Sequence, residues 1–479
     1  MSTRVDLYRV FASILWSSLL GCGQENPFIG LDLVSGRTPF AAGCAPSDQA
    51  GTNLAGFEAE PYLAVDPANS EHLIGVWQQD RWSNGAANGL VTAASWDGGR
   101  TWKKSLAPFT LCSGGDAQNA GDYYRASDPW VVFAPDGTAY ESGLAFTNSS
   151  TAAISAIVVS RSTDGGLTWS DPIALIRDTQ PDFFNDKPTV TADPSNPQRV
   201  YAVWDRLTGV TNPNQALSTG PTWFTLSTNG TWEQARAIFD PGMDAQTISN
   251  QIFVLPSGYL INLFELVTSA SSQNPVGTIT ALRSADQGTT WSAPVTVAAQ
   301  QISGVLNPKT GIPVRGGGFV PSFGVDQSRS NLYVVWEDSR FSQGAQDGIV
   351  LSTSTDSGLT WSAPQAVNQS AAPAFCPSLA IGTNGEIAVI YYDLRFDNPR
   401  DSQHFLVTAW LVTSIDGGST WTETQLTEPF DLEPAHVGNV YFLGDYQGLA
   451  ATGGFFVPFF AVANPGGQPD PTDIYVKPL

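Results

Sequence analysis

Four segments place an Asp and an Arg just after an aromatic residue: Trp77-Gln78-Gln79-Asp80-Arg81, Trp204-Asp205-Arg206, Trp336-Glu337-Asp338-Ser339-Arg340 and Tyr391-Tyr392-Asp393-Leu394-Arg395. A guanidinium presents paired N–H donors that fit a carboxylate. Arg206, Arg340 and Arg395, with Arg81 beside them, are therefore candidates to clamp an anionic ligand if they face one point. The alternative is a set of separate strand-end salt bridges, each Arg serving its own Asp. A second group gathers at steps such as x-Pro: Glu60, Asp128, Asp186 with Lys187, and Asp445 with Tyr446, Arg125 lying close to Asp128. Within it Asp128 is the candidate acid/base and Tyr446 the candidate nucleophile, with Asp445 as its nearby carboxylate. His404 and His436 are alternative bases.

Such groups act together only if a scaffold brings them together, and the chain carries a repeat that can. The pattern S-x-D-x-G-x-T-W occurs at Ser95 to Trp102, Ser162 to Trp169, Ser284 to Trp291, Ser354 to Trp361 and Ser414 to Trp421. A shortened copy, Ser227 to Trp232, has Asn229 in place of the Asp. An Asp followed by Gly favours a tight turn, and the Asp side chain can accept from nearby backbone N–H groups while the Trp covers the turn. Asp97, Asp164, Asn229, Asp286, Asp356 and Asp416 are accordingly read as structural turn residues. Flanking β-rich runs such as Ile154 to Ser160 make each copy a hairpin.

These copies resemble the Asp box of sialidases and related BNR-repeat proteins. Their recurrence every 57 to 70 residues suits one four-stranded propeller blade per repeat. The expected fold is all-β, a single β-propeller spanning residues 56–479.

A second series supports the count. Steps at Glu60-Pro61, Asp128-Pro129, Lys187-Pro188, Val320-Pro321 and Cys376-Pro377, with Ser249-Asn250 and Asp445-Tyr446 at the same offset, open apolar strands. Seven openings predict seven blades, with six as the alternative. The last unit has three strands, and its fourth is expected from the N-terminal segment 23–55, around Pro27 to Val34, which closes the ring. In such blades the Asp boxes mark one face. Second-strand ends and first-strand starts, and with them the Asp/Arg motifs, meet on the other.

The resemblance implies a sialidase-like exo-glycosidase that acts on an acidic sugar, with arginines on the substrate carboxylate, an Asp acid/base and a Tyr nucleophile. The departures are specific. Seven blades exceed the six of classical sialidases, and the family's F-R-I-P segment has only Gly36-Arg37-Thr38-Pro39 as a counterpart, so no role passes to Arg37. The competing readings are a noncatalytic surface protein binding glycan or protein, and a polysaccharide lyase using Tyr and His.

Composition bounds the partners. A net charge of −22 without a basic run excludes nucleic acid as an expected partner. Arg4 and Arg9 precede an apolar run ending in Leu19-Leu20-Gly21-Cys22, so residues 1–22 read as a signal peptide of lipoprotein type with Cys22 lipidated. Export to a bacterial envelope or secretion follows, with membrane contact only through the lipid. Of the remaining cysteines, Cys44 and Cys112 are the expected pair. No Cys/His spacing suggests a metal site, and neither metal nor cofactor is expected. A monomer is expected.

Overall fold

The computed structural model describes residues 28, 30–148, 153–209, 219–272, 274–466 and 468–478. The signal segment and Cys22 lie outside them. Strands fill the described chain, and its helical elements are three single 3-10 turns.

The inner strands Glu58–Asp66, Arg125–Phe133, Phe183–Ala192, Ala245–Val254, Ser322–Asp326, Ala374–Ile381 and Gly448–Thr452 each begin an antiparallel unit that runs outward in chain order. In the last unit, Gly448–Thr452 pairs with Phe455–Ala463, then Thr472–Val476, and the outer place is taken by Asp32–Leu33 from the N-terminal segment. The expected closure of first segment against last is therefore present, and it satisfies an edge that would otherwise stay open. The first two units also touch through the single pair Ala87 and Ala126.

The core is a ring of layers between successive units. Second-strand aromatics supply much of it: Trp77, Trp204, Trp336 and Tyr391 are fully buried. Trp336 packs with Ile261 and Leu263 of the preceding unit, and Trp77 and Leu63 pack with Phe459 and Val476 of the last. Because each sheet buries both faces against neighbours, strands such as Ile387–Asp393 are apolar or aromatic almost throughout. This circular packing of antiparallel sheets is a β-propeller.

The Asp boxes form the outermost hairpins as expected. In the first, Asp97 accepts from Thr101 N at 2.9 Å and Thr101 Oγ1 at 2.6 Å, while Ser95 Oγ accepts from Gly99 N at 2.9 Å. Trp102 then reaches Phe459 of the last unit, ring centroids 5.7 Å apart. The shortened copy replaces this network by a two-residue turn in which Asn229 and Gly230 take φ of 54° and 78°, the left-handed pair an Asn-Gly hairpin requires.

One expectation needs correction. The x-Pro steps do not open most inner strands; they interrupt them. Strands start before the step, and the pairing register slips between Ala59 and Tyr62, Ser127 and Trp130, Asp186 and Thr189, Ile248 and Gln251, and Phe375 and Ser378. At each slip one residue is left-handed: Glu60, Asp128, Lys187, Ser249 and Cys376, with φ between 47° and 60°. At four of the five slips the next residue is a proline, which lacks the N–H a ladder needs, and at the other it is Asn250; each step forms a β-bulge, and a bulge re-aims its side chain.

Segments between units add a small sheet that the sequence does not signal. Val305–Leu306 pairs with Pro313–Arg315, which pairs in parallel with Val440–Phe442, itself paired with His436–Val437.

Candidate functional site

The bulges bring residues distant in sequence to one cluster. Lys187 Nζ lies 2.6 Å from Asp128 Oδ1, 2.8 Å from Asp445 Oδ2 and 3.4 Å from Glu60 Oε1. The small sheet delivers Arg315, whose Nε donates to Asp445 Oδ1 at 2.8 Å and whose Nη2 pairs with Oδ2 at 2.5 Å. Gln78 Nε2 donates to Glu60 and to Ser127 Oγ, and Gln78 Oε1 accepts from Arg81 Nη1 at 2.6 Å. Phe442 lies beneath both guanidiniums, 4.0 Å from Arg81 and 4.9 Å from Arg315.

Electrostatics divides these carboxyls into two kinds. Burial favours the neutral form of Asp445, but Lys187 and Arg315 outweigh it and hold the group far below the usual carboxylate range. Glu60 is pushed up to about 7 and Asp128 to about 6, in both cases by burial that Lys187 only partly offsets. The three carboxylates in turn outweigh burial at Lys187 and keep it charged. Asp205, with neither oxygen hydrogen-bonded, is held well above the ordinary range by burial and then by Asp186. Two carboxyls that titrate near neutrality beside a permanent ammonium can exchange protons with a bound molecule.

The sequence candidates separate accordingly. Asp128 stands in the cluster, as does Arg81. Asp445 stands there too, but as a doubly paired anion, which corrects its placement beside a nucleophile. Tyr446 donates its hydroxyl to Pro129 O at 3.1 Å, and burial, then Glu60 and Asp128, raise its pKa well above the phenol range. Its proton goes to a backbone carbonyl and not to a carboxylate, which does not fit the expected nucleophile.

The clamp is corrected as well. Arg206 forks onto Asp178 at 2.8 and 2.6 Å, Arg340 onto Asp338 at 2.7 Å through both Nε and Nη2, and Arg395 onto Asp393 and Glu423, each at 2.6 Å. Arg340 and Arg395 are engaged within their own units, and Arg206 reaches the outer strand end of the preceding unit, Ile173–Asp178, so all three make strand-end salt bridges of the kind bidentate geometry favours. His404 binds Asp401 at 2.9 Å and His436 packs on Tyr441.

Sequence reasoning missed Arg315. It lies in a segment with no repeat signal, and its partner Asp445 is 130 positions away. Among the described residues no group of His, Cys, Asp and Glu has the arrangement of a metal site. Cys44 and Cys112 form a disulfide, and Cys376 is free and buried.

Fold and repeats together define an Asp-box β-propeller protein. Residues 222–429, which carry four of the six boxes, match the family model of the BNR repeat-like domain. No curated protein matches the chain. Among solved structures it is similar to the Hadza microbial sialidase Hz136, at 16% identity and a TM-score of 0.45, over 74% of this chain and 66% of that one. It is similar to the GH93 α-L-arabinofuranosidase of Fusarium graminearum solved with arabinobiose, at 13% identity and 0.47, over 94% and 97%. It is also similar to the Trypanosoma rangeli sialidase, at 12% identity and 0.45, over 93% of this chain and 58% of that one. The chain thus spans just under two thirds of the first sialidase and little more than half of the second.

Proposed function

We propose that this chain is a seven-bladed, carbohydrate-active propeller that hydrolyses a glycoside at its axial cluster. Asp128 acts as proton donor and acceptor, Glu60 is the partner carboxyl, and Arg81 and Arg315 take the place of the expected clamp on an acidic sugar. The observation that carries this reading is the pair Asp128 and Glu60, at about 6 and about 7, on either side of one ammonium. Both oxygens bind Lys187 and so are at most about 6 Å apart, which is below the roughly 6.5–9.5 Å of inverting glycosidases.

Turnover of a panel of fluorogenic glycosides, sialosides included, tests it. At least one substrate is expected to be cleaved, and Asp128→Asn to lower kcat by about 10²–10⁴. A chain that binds immobilised glycans yet cleaves none of the panel is the noncatalytic binding protein instead. That second reading is favoured by the engagement of Arg206, Arg340 and Arg395 in strand-end salt bridges. Nothing at the cluster favours a lyase, because Tyr446 is held on a backbone carbonyl and no described contact links a His to Lys187 or its carboxylates.

The proposal includes export and lipidation at Cys22. The Cys44–Cys112 disulfide supports export, since such bonds persist in oxidising compartments. The protein is proposed to act as a monomer.

A further inference from the structure

Beyond three of the five bulges the inner strands keep a two-residue rhythm: Tyr62, Ala64, Trp130, Val132, Gln251 and Phe253 retain exposed surface, while Leu63, Val131 and Ile252 between them are buried. Side chains on a strand alternate in direction, so the exposed set faces one shared space, the propeller axis. Two cavities lie along it and share walls at Tyr62, Trp130, Thr189, Gln251 and Phe323. The inner one ends at Asp128 and Lys187, and the outer one at the turn residues Pro67, Pro135 and Pro194. Those turns lie on the Asp-box face: His72, just past the first of them, bonds Gly165 of the next unit's box.

We infer that this axial channel is a binding site, entered from the Asp-box face, for a small molecule with an apolar body and a hydroxyl head. Its wall offers an aromatic surface, Tyr62 stacked on Trp130 at 3.6 Å with Tyr446 edge-on to both. Its closed end offers acceptors. Asp128 is a carboxyl, Ser249 Oγ donates its proton to Pro321 O, and Gln447 has its amide nitrogen on Cys376 O, leaving Oε1 without a partner. A head group must therefore donate. It should also be neutral, because Lys187 already fills the cationic place among the three carboxylates. This inference does not rest on the proposed hydrolysis, although both use Asp128, since Arg315 and the small sheet do not line the two cavities.

Fluorine NMR with 4-fluorobenzyl alcohol on the full chain tests it. Saturable binding is expected, with 4-fluorotoluene and 4-fluorobenzylamine each about tenfold weaker, the toluene for want of one hydrogen bond and the amine through repulsion by Lys187. Gln251→Trp should abolish it by filling the axis, and Val132→Trp serves the same purpose should the first variant fail to fold. Absence of saturable binding, or binding unchanged in a folded blocked variant, overturns the site. Toluene or amine binding as tight as the alcohol overturns the assigned head group.

Discussion

At the scale of residues, the molecule concentrates charge where a propeller concentrates strand starts. Lys187 is the group on which the cluster depends, because without it three buried carboxyls lose their common cation. Lys187→Met should cost about 3–5 kcal/mol in denaturant unfolding, the usual consequence of leaving buried charge unpaired. That loss should be smaller at pH 5 than at pH 8. Glu60 and Asp128 already titrate near about 7 and about 6, and removing the ammonium raises both further, so acid neutralises what the variant cannot pair. In the parent chain these two groups bind protons more tightly folded than unfolded, so their contribution to stability declines as pH rises from about 4 through 7. Asp445 works in the opposite sense: its stabilising pairing is present at neutral pH and is lost in strong acid. Half of the cluster is legible in the sequence, since Glu60, Asp128 and Lys187 each precede a proline at a recurring offset. The pairing of Arg315 with Asp445 is not legible, because nothing local in either segment points to the other. The clamp arginines fail for a related reason: an Asp one or two positions away, or one such as Asp178 at an adjacent strand end, meets a guanidinium more readily than a ligand at the axis does.

At the scale of elements, the Asp box and the bulge divide the work of each sheet between its outer and inner edges. The box is fully legible, because its chemistry is local: Asp164 accepts from Thr168 N and Thr168 Oγ1, four residues away. Those hydrogen bonds hold Asp164 down to about 2, so its contribution is present above the unfolded value near 4 and is lost as pH falls toward 2. Asp164→Ala should lower the unfolding free energy by about 1 kcal/mol at pH 7, and the difference from the parent should shrink toward pH 2 and vanish below it. The bulge is legible as a recurring proline but not as a bulge. Whether a strand begins at such a step or runs through it depends on the partner strand, and Ala59, Ser127 and Asp186 find partners in Gln78, Leu144 and Asp205 before the step is reached.

At the scale of the whole molecule, the ring is held where its two ends meet. Asp32 and Leu33 pair with Val476 and Tyr475, Ser35 Oγ donates to Asp473 at 2.8 Å, and Phe28 packs against Tyr475 and Phe430. The disulfide fixes the same N-terminal segment a second time, joining Cys44 to Cys112 just beyond the first unit. These two attachments act on different states. The strand pairing and core contacts stabilise the folded ring directly, whereas the disulfide closes a loop of 68 residues in the unfolded chain and so reduces its entropy. Cys44→Ser with Cys112→Ser should therefore lower stability by about 2–4 kcal/mol while leaving the folded β signature in circular dichroism unchanged. Removing residues up to 35 should act differently, because it leaves Thr472–Val476 as an open edge beside exposed core side chains such as Tyr475. That truncation should shift the chain toward self-association in sedimentation velocity, through pairing at the freed edge. A truncated chain that stays monomeric and as stable as the parent would show that the ring closes without its N-terminal strand.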